Sequence, residues 1–170
     1  MTSSPNPFTL VLLEKQHDRK SFDCGSEPLN TYIKQYALQN QKRDAARNYV
    51  ILLEDKVVAY YSLIYGGVVA QDMPEEMRIG QYQVPIMLIG RMGVDKSQKG
   101  KGLGHAMLQD AALRAVQAAN IAGLRALFVH AKDDTARAFY EHHGFISCPS
   151  DPLHMFFPLE IIRRTMLQPK

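Results

Sequence analysis

RMGVDKSQKGKGLG, residues 91–104, ends one apolar run and opens another segment rich in helix formers. Val84–Val94 reads as a long strand, with Pro85 near its start, a position that suits an edge strand or a strand beginning. A short polar turn follows, and Gly100, Gly102 and Gly104 alternate just as a helix begins. Glycines at such a junction let backbone N–H groups at a helix start close around an anion, helped by the helix dipole. Lys99 and Lys101 add positive charge there. Two common phosphate loops do not fit. A P-loop needs Gly where Asp95 stands and Ser or Thr where Gly102 stands. The dinucleotide pattern GxGxxG is replaced by GxGxG, with no evident acidic ribose partner on a second strand.

Working outward, residues 8–13 (FTLVLL) predict a strand, 17–25 a turn-rich loop, and 26–42 a helix with Pro28 in its first turn. Leu29, Ile33, Tyr36 and Ala37 form the expected apolar stripe. Tyr49–Leu53 and Val57–Tyr65 predict a hairpin that Gly66-Gly67 ends. Residues 70–83 read as a polar loop with a helical turn. Then come a helix from Gly102 to about Ala119, a strand 124–130, a helix 133–142 stopped by Gly144, and strands at 145–146 and 154–159. Residues 1–7 read as a frayed start. This order defines an α/β or α+β chain with a mixed sheet.

With 170 residues, a single domain spanning 1–170 is expected. The 46% hydrophobic and 22% charged content excludes wholesale disorder. Twenty Lys plus Arg against 17 Asp plus Glu gives +3, which permits a polyanionic partner without requiring one. No apolar run approaches the roughly 18 residues that span a membrane, and MTSSPNPFTL has neither basic n-region nor apolar h-region. Cys24 and Cys148 make no CxxC pair, so a reducing cytoplasm is the expected compartment. No HxxxH or CxxC spacing points to a metal. Cys24 has no assignable His or Asn to activate it as a nucleophile.

Lys99-Gly100-Lys101-Gly102-Leu103-Gly104 resembles the pyrophosphate motif Gln/Arg-x-x-Gly-x-Gly/Ala of the GCN5-related N-acetyltransferases (GNAT), with Lys in the first position. Asp133 to Phe145 resembles that family's second signature, Asn-x-x-Ala-x-x-Phe-Tyr-x-x-x-Gly-Phe, with Asp133 in place of Asn. The resemblance implies a GNAT fold, a mixed and mostly antiparallel twisted central sheet flanked by helices. It implies acetyl-CoA as cosubstrate, held by Met92, Gly93, Val94, Lys99, Gly100, Lys101, Gly102, Leu103, Gly104 and Asp133. Tyr140 would be the general acid that protonates the CoA thiolate; no metal is implied. A narrower resemblance is carried by Phe22-Asp23-Cys24-Gly25, Leu29-Asn30, the run Tyr36 to Gln41, and Gly90-Arg91-Met92-Gly93-Val94-Asp95. These are similar to segments of GNAT toxins of bacterial toxin–antitoxin modules. That resemblance implies acetylation of the α-amino group of aminoacyl-tRNA, a block of translation, a homodimer, and a ribbon-helix-helix antitoxin.

Elementary chemistry agrees with such an acceptor. A lysine amine at pKa ~10 needs a base at neutral pH, whereas an α-amine at ~7.7 is already partly neutral. Glu54 and Glu141 are conceivable bases that no motif fixes. Binding tRNA calls for cations, and Lys34, Lys42, Arg43, Arg47, Arg78 and Arg91 are the candidates; Arg163 and Arg164 read equally as surface charge. Two alternatives stand beside this reading: a GNAT acting on a small-molecule or protein amine, and a non-catalytic CoA-binding or repressor-complex module.

Overall fold

The computed structural model describes residues 5–80 and 82–166; the expected frayed start falls partly on residues 1–4, outside them. Among the described residues, seven strands lie in one sheet: β1 (Phe8–Leu12), β2 (Arg47–Leu53), β3 (Lys56–Val68), β4 (Val84–Val94), β5 (Ala126–His130), β6 (Ile146–Ser147) and β7 (His154–Pro158). Their order is β1-β2-β3-β4-β5-β7-β6. The pairs β1–β2, β2–β3, β5–β7 and β6–β7 are antiparallel, and β4–β5 is parallel. The helices are α1 (Glu27–Thr31), α2 (Ala37–Lys42), α3 (Leu103–Ala119), α4 (Asp134–His142) and α5 (Leu159–Met166). The chain divides into two compact units, Met1–Leu63 with Arg91–Met107, and Ile64–Gly90 with Leu108–Lys170.

In the first unit, the β2–β3 hairpin turns at Glu54-Asp55 as the apolar alternation predicts. Its core gathers Leu13, Phe22, Tyr32, Ile33, Ala37, Val50 and Tyr60. Here the structure corrects one expectation. The predicted helix is interrupted by a π-helical turn, Tyr32–Tyr36, between α1 and α2. A π turn bonds i to i+5 and so rotates the residues beyond it. Ile33 and Ala37 are buried as expected, but Tyr36 faces solvent and Tyr32 takes the inner position.

In the second unit, Gly66-Gly67 lies within β3 rather than ending it. A Cβ at Gly66 would sit 3.2 Å from Ile86 Cδ1, and one at Gly67 2.8 Å from Gln83 Oε1. Both are side-chain ends that can shift, and neither glycine has a positive φ, so the pair marks no turn and the strand runs on through it. The polar segment after β3 is pinned by Met73 and Met77, which join Val84, Ile86, Ala126, Phe128 and Phe156 in a core cluster. The expected strand 154–159 stops at Pro158, and α5 follows. Leu159 and Ile162, one helical turn apart, are buried while Glu160, Arg163 and Arg164 are exposed.

Candidate active site

Within the first unit, β4 ends at Val94 and Asp95 starts a 3-10 turn, Lys96–Gln98. The Asp95 carboxylate accepts from the Ser97 amide at 2.9 Å, the Ser97 hydroxyl at 2.7 Å and the Asp23 amide at 2.9 Å. Partial burial opposes its charge, but these donors outweigh that and hold its carboxyl below the usual carboxylate range. Gly100 and Gly102 then adopt φ +80° and +78°, left-handed backbone that other residues rarely hold. A Cβ at either would meet nothing within 4 Å, so conformation and not crowding selects glycine there. α3 opens immediately, with Leu103 buried and the Ala106 amide bonded to Gly102 O at 3.1 Å. Among the described residues, no acceptor takes the amides of Gly100, Lys101, Gly102, Leu103 or Gly104. Lys99 and Lys101 flank them, exposed, with Lys101 Nζ 2.9 Å from Gln98 Oε1. Unclaimed amides, a helix N-terminus and two cations make a fitting receptor for a pyrophosphate.

Gly93 lies under a second constraint. A Cβ there would stand 3.2 Å from Cys24 Sγ and 3.6 Å from Phe22 Cζ. The Phe22–Gly25 segment is fastened by Asn30, whose side-chain oxygen accepts from the Cys24 amide at 2.9 Å and whose amide donates to Asp23 at 3.0 Å. Asp23 also accepts from the Gly25 amide, and that bond, then Asn30, then the Lys96 charge, hold its carboxyl below the usual range. Cys24 thus packs against β4 at Gly93.

Within the second unit, Asp133 caps α4: its Oδ1 accepts from the Ala136 amide at 2.8 Å. Its other carboxylate oxygen has no such tie among the described residues. Tyr140 lies in the last turn of α4 between Phe139 and Phe145, at ring-centroid distances of 5.3 and 5.4 Å. No group among the described residues hydrogen-bonds its hydroxyl. Burial pushes the phenol above its ordinary pKa, so it stays protonated at neutral pH. Of the conceivable bases, Glu141 is paired with Arg137 at 2.9 Å, and Glu54 stands exposed in the hairpin turn.

The proposed tRNA cations separate into two groups. Lys34 in the π turn, and Lys42 and Arg43 at the end of α2, are exposed with no ion pair among the described residues. Arg47 pairs with Asp44 at 2.9 Å, and Arg78 donates to Met73 O at 3.1 Å. Arg91 lays its guanidinium 3.8 Å from the centroid of the Tyr32 ring. Tyr32, Asn30, Asn48 and Asp95 are the residues that sequence reasoning did not single out for a role of their own. Tyr32 and Asn48 meet across 16 residues and Asp95 takes the Asp23 amide across 72, so no local spacing marks those ties, whereas Asn30 bonds Cys24 and Asp23 only six and seven residues away. Among the described residues, no group of His, Cys, Asp and Glu could hold a metal, and no helix is long and apolar enough to cross a membrane.

The Acetyltransferase (GNAT) domain pattern fits residues 44–147, and the chain belongs to that family. The mixed, mostly antiparallel sheet flanked by helices is its fold, one that takes acetyl-CoA as cosubstrate. Its relatives are more particular. A tRNA-acetylating toxin of Mycobacterium tuberculosis is 40% identical over 147 residues, 86% of this chain and 89% of that protein. AtaT complexed with acetyl-methionyl-tRNAfMet matches with a TM-score of 0.85 at 26% identity, covering 92% of this chain and 98% of that one. A tyrosine-to-phenylalanine mutant of the AtaT toxin, bound to the C-terminus of the antitoxin AtaR and acetyl-CoA, matches with a TM-score of 0.82. Its identity is 25%, over 96% of this chain and 100% of that one.

Proposed function

We propose that this protein is an acetyl-CoA-dependent toxin that acetylates the α-amino group of aminoacyl-tRNA and so blocks translation. The observation that carries the reading is the 40% identity, over 86% of the chain, to a tRNA-acetylating toxin. Backbone amides from Gly100 to Gly104 bind the pyrophosphate of acetyl-CoA, with Lys99 and Lys101 balancing its charge. The β4 backbone at Met92, Gly93 and Val94 pairs with the pantetheine arm as an added strand would. Asp133 accepts a pantetheine hydrogen bond with the oxygen not used on the α4 cap. Acetyl-CoA supplies an activated acyl group. The acceptor amine nitrogen attacks its carbonyl carbon, the carbon–sulfur bond breaks, and the Tyr140 hydroxyl donates its proton to the departing sulfur. The amine releases its surplus proton to solvent, which its low pKa permits without a strong protein base, and the Tyr140 phenolate takes a proton back from solvent. Lys34, Lys42, Arg43, Arg47, Arg78 and Arg91 serve the tRNA backbone. A homodimer is the working form and a ribbon-helix-helix antitoxin the cellular partner; AtaT with a segment of AtaR supports the antitoxin.

The test is transfer of radiolabelled acetyl from acetyl-CoA to a total aminoacyl-tRNA pool. Deacylated tRNA, a polyamine and peptide mixture, and the Tyr140→Phe variant are the controls. Label confined to the charged pool and lost in the variant is the expected result. Label only in the polyamine and peptide mixture would overturn the reading.

A further inference from the structure

Arg91 is the cation in the first unit whose setting is most specific. Its guanidinium stacks on Tyr32, yet among the described residues no carboxylate or carbonyl accepts from it. The acids around the end of β4 are engaged elsewhere: Asp23 with the Gly25 amide, Asn30 and Lys96, and Asp95 with the Asp23 amide and Ser97. Arg91 is exposed, so its N–H fork is open to solvent while its flat face is held by the ring. A planar, stacked guanidinium with a free fork is organised to grip a phosphate with two parallel hydrogen bonds.

The ring beneath it is fixed with unusual care. Tyr32 is 4% exposed, and its hydroxyl donates to Asn48 Oδ1 at 2.9 Å. Asn48, fully buried, passes the constraint on by donating to Ala37 O at 2.9 Å. Tyr60 stacks against Tyr32 at 6.1 Å and anchors its own hydroxyl on Leu29 O at 2.7 Å. Tyr32 is also the first residue of the π turn, its carbonyl accepting from the Ala37 amide. Leu29 and Ala37 thus flank the wide turn, and the network fastens both sides of it.

We infer that Tyr32, held by Asn48 and the π turn, is a positioning residue that presents Arg91 to a backbone phosphate of the acceptor tRNA. This rests on the proposed acceptor, and the test separates the two. Binding of uncharged tRNA is measured by fluorescence anisotropy across a salt series, alongside KM values for charged tRNA and acetyl-CoA. Arg91→Ala should reduce the salt slope of tRNA binding by about one, the loss of one phosphate contact. Tyr32→Leu should weaken tRNA binding and raise the KM for charged tRNA roughly 3–30-fold, the span of a cation–π contact. Neither should move the KM for acetyl-CoA. Tyr32→Phe keeps the ring and should rescue tRNA affinity while melting at a lower temperature. Arg91→Lys disturbs no core residue; it should keep most of the salt slope yet lose affinity. In combination, Tyr32→Leu should add nothing to Arg91→Ala. Additive losses, an unchanged slope in Arg91→Ala, or a shift confined to acetyl-CoA would overturn the inference. So would a wild-type protein that binds no tRNA. Wild-type binding of tRNA with these variant effects on affinity and salt slope, but no acetyl transfer to charged tRNA, would sink the proposed function and leave the positioning role standing.

Discussion

Asn48→Leu tests the reasoning about the polar network in the core most sharply. Leucine has the same branched shape and number of side-chain heavy atoms as asparagine and is the bulkier of the two, so the change opens no cavity. It removes the acceptor of the Tyr32 hydroxyl and the donor to Ala37 O, both bonds lying at 2.9 Å. The tyrosine hydroxyl is then buried without a partner, which costs ~1–3 kcal/mol, and the lost bond to Ala37 adds ~0.5–1.5 kcal/mol. The expected destabilisation is therefore about 1.5–4.5 kcal/mol, a large share of the roughly 5–15 kcal/mol that holds a domain folded. For a chain of this size it should lower the melting temperature by roughly 5–15 °C. Urea unfolding of the wild type, both single variants and the Tyr32→Phe plus Asn48→Leu double variant is the assay. The double variant has no orphaned hydroxyl, so its loss should be smaller than the two single losses combined by about 1 kcal/mol or more. A single-variant loss below ~0.5 kcal/mol, or strict additivity, would refute the account.

Two further outcomes follow from the same structure. Gly102→Ala forces a side chain into φ +78° with no neighbour to clash with, so ~1–2 kcal/mol of backbone strain should appear as weaker CoA binding by isothermal titration. Affinity equal to wild type would show that the left-handed backbone is not needed for the loop. Burial raises the phenol pKa of both Tyr60 and Tyr140. An unfolded chain releases those protons near pH 10, before the folded one does. Their contribution is thus complete below about pH 10 and lost as pH rises through the folded values. Urea midpoints should fall above about pH 10, and a midpoint flat to pH 11 would contradict the burial argument.

The strands β2 to β5 were legible because each is an apolar or β-branched run of strand length with turn residues at its ends. The loop at Gly100–Gly104 was legible because alternating glycines at a helix start have a specific backbone reason, here positive φ at Gly100 and Gly102. α5 carried a readable signal in the Leu159–Ile162 spacing, masked because the run from Met155 to Leu159 is equally apolar. The π turn was not readable. It is fastened by Asn48 and Tyr60, which come from β2 and β3, so nothing in residues 26–42 announces it. Gly66-Gly67 misled because an isolated Gly pair looks like a turn, whereas here neither residue has a positive φ and β3 continues to Val68. The cations were identified by charge alone, and charge does not reveal that Arg47 and Arg78 already have partners while Arg91 has a ring beneath it.

The tie between Asp23 and Asp95, 72 residues apart, bears on how this chain can be recombined with its relatives. Asn30 closes the Asp23–Cys24 turn, Asp95 receives the Asp23 amide, and Gly93 leaves the room that Cys24 and Phe22 occupy. An exchanged N-terminal segment would arrive shaped for a different β4 terminus. A workable chimera must carry Phe22, Asp23, Cys24, Asn30, Gly93 and Asp95 together as one inherited unit, with the crossover placed after Asp95 and not between the helices and the hairpin.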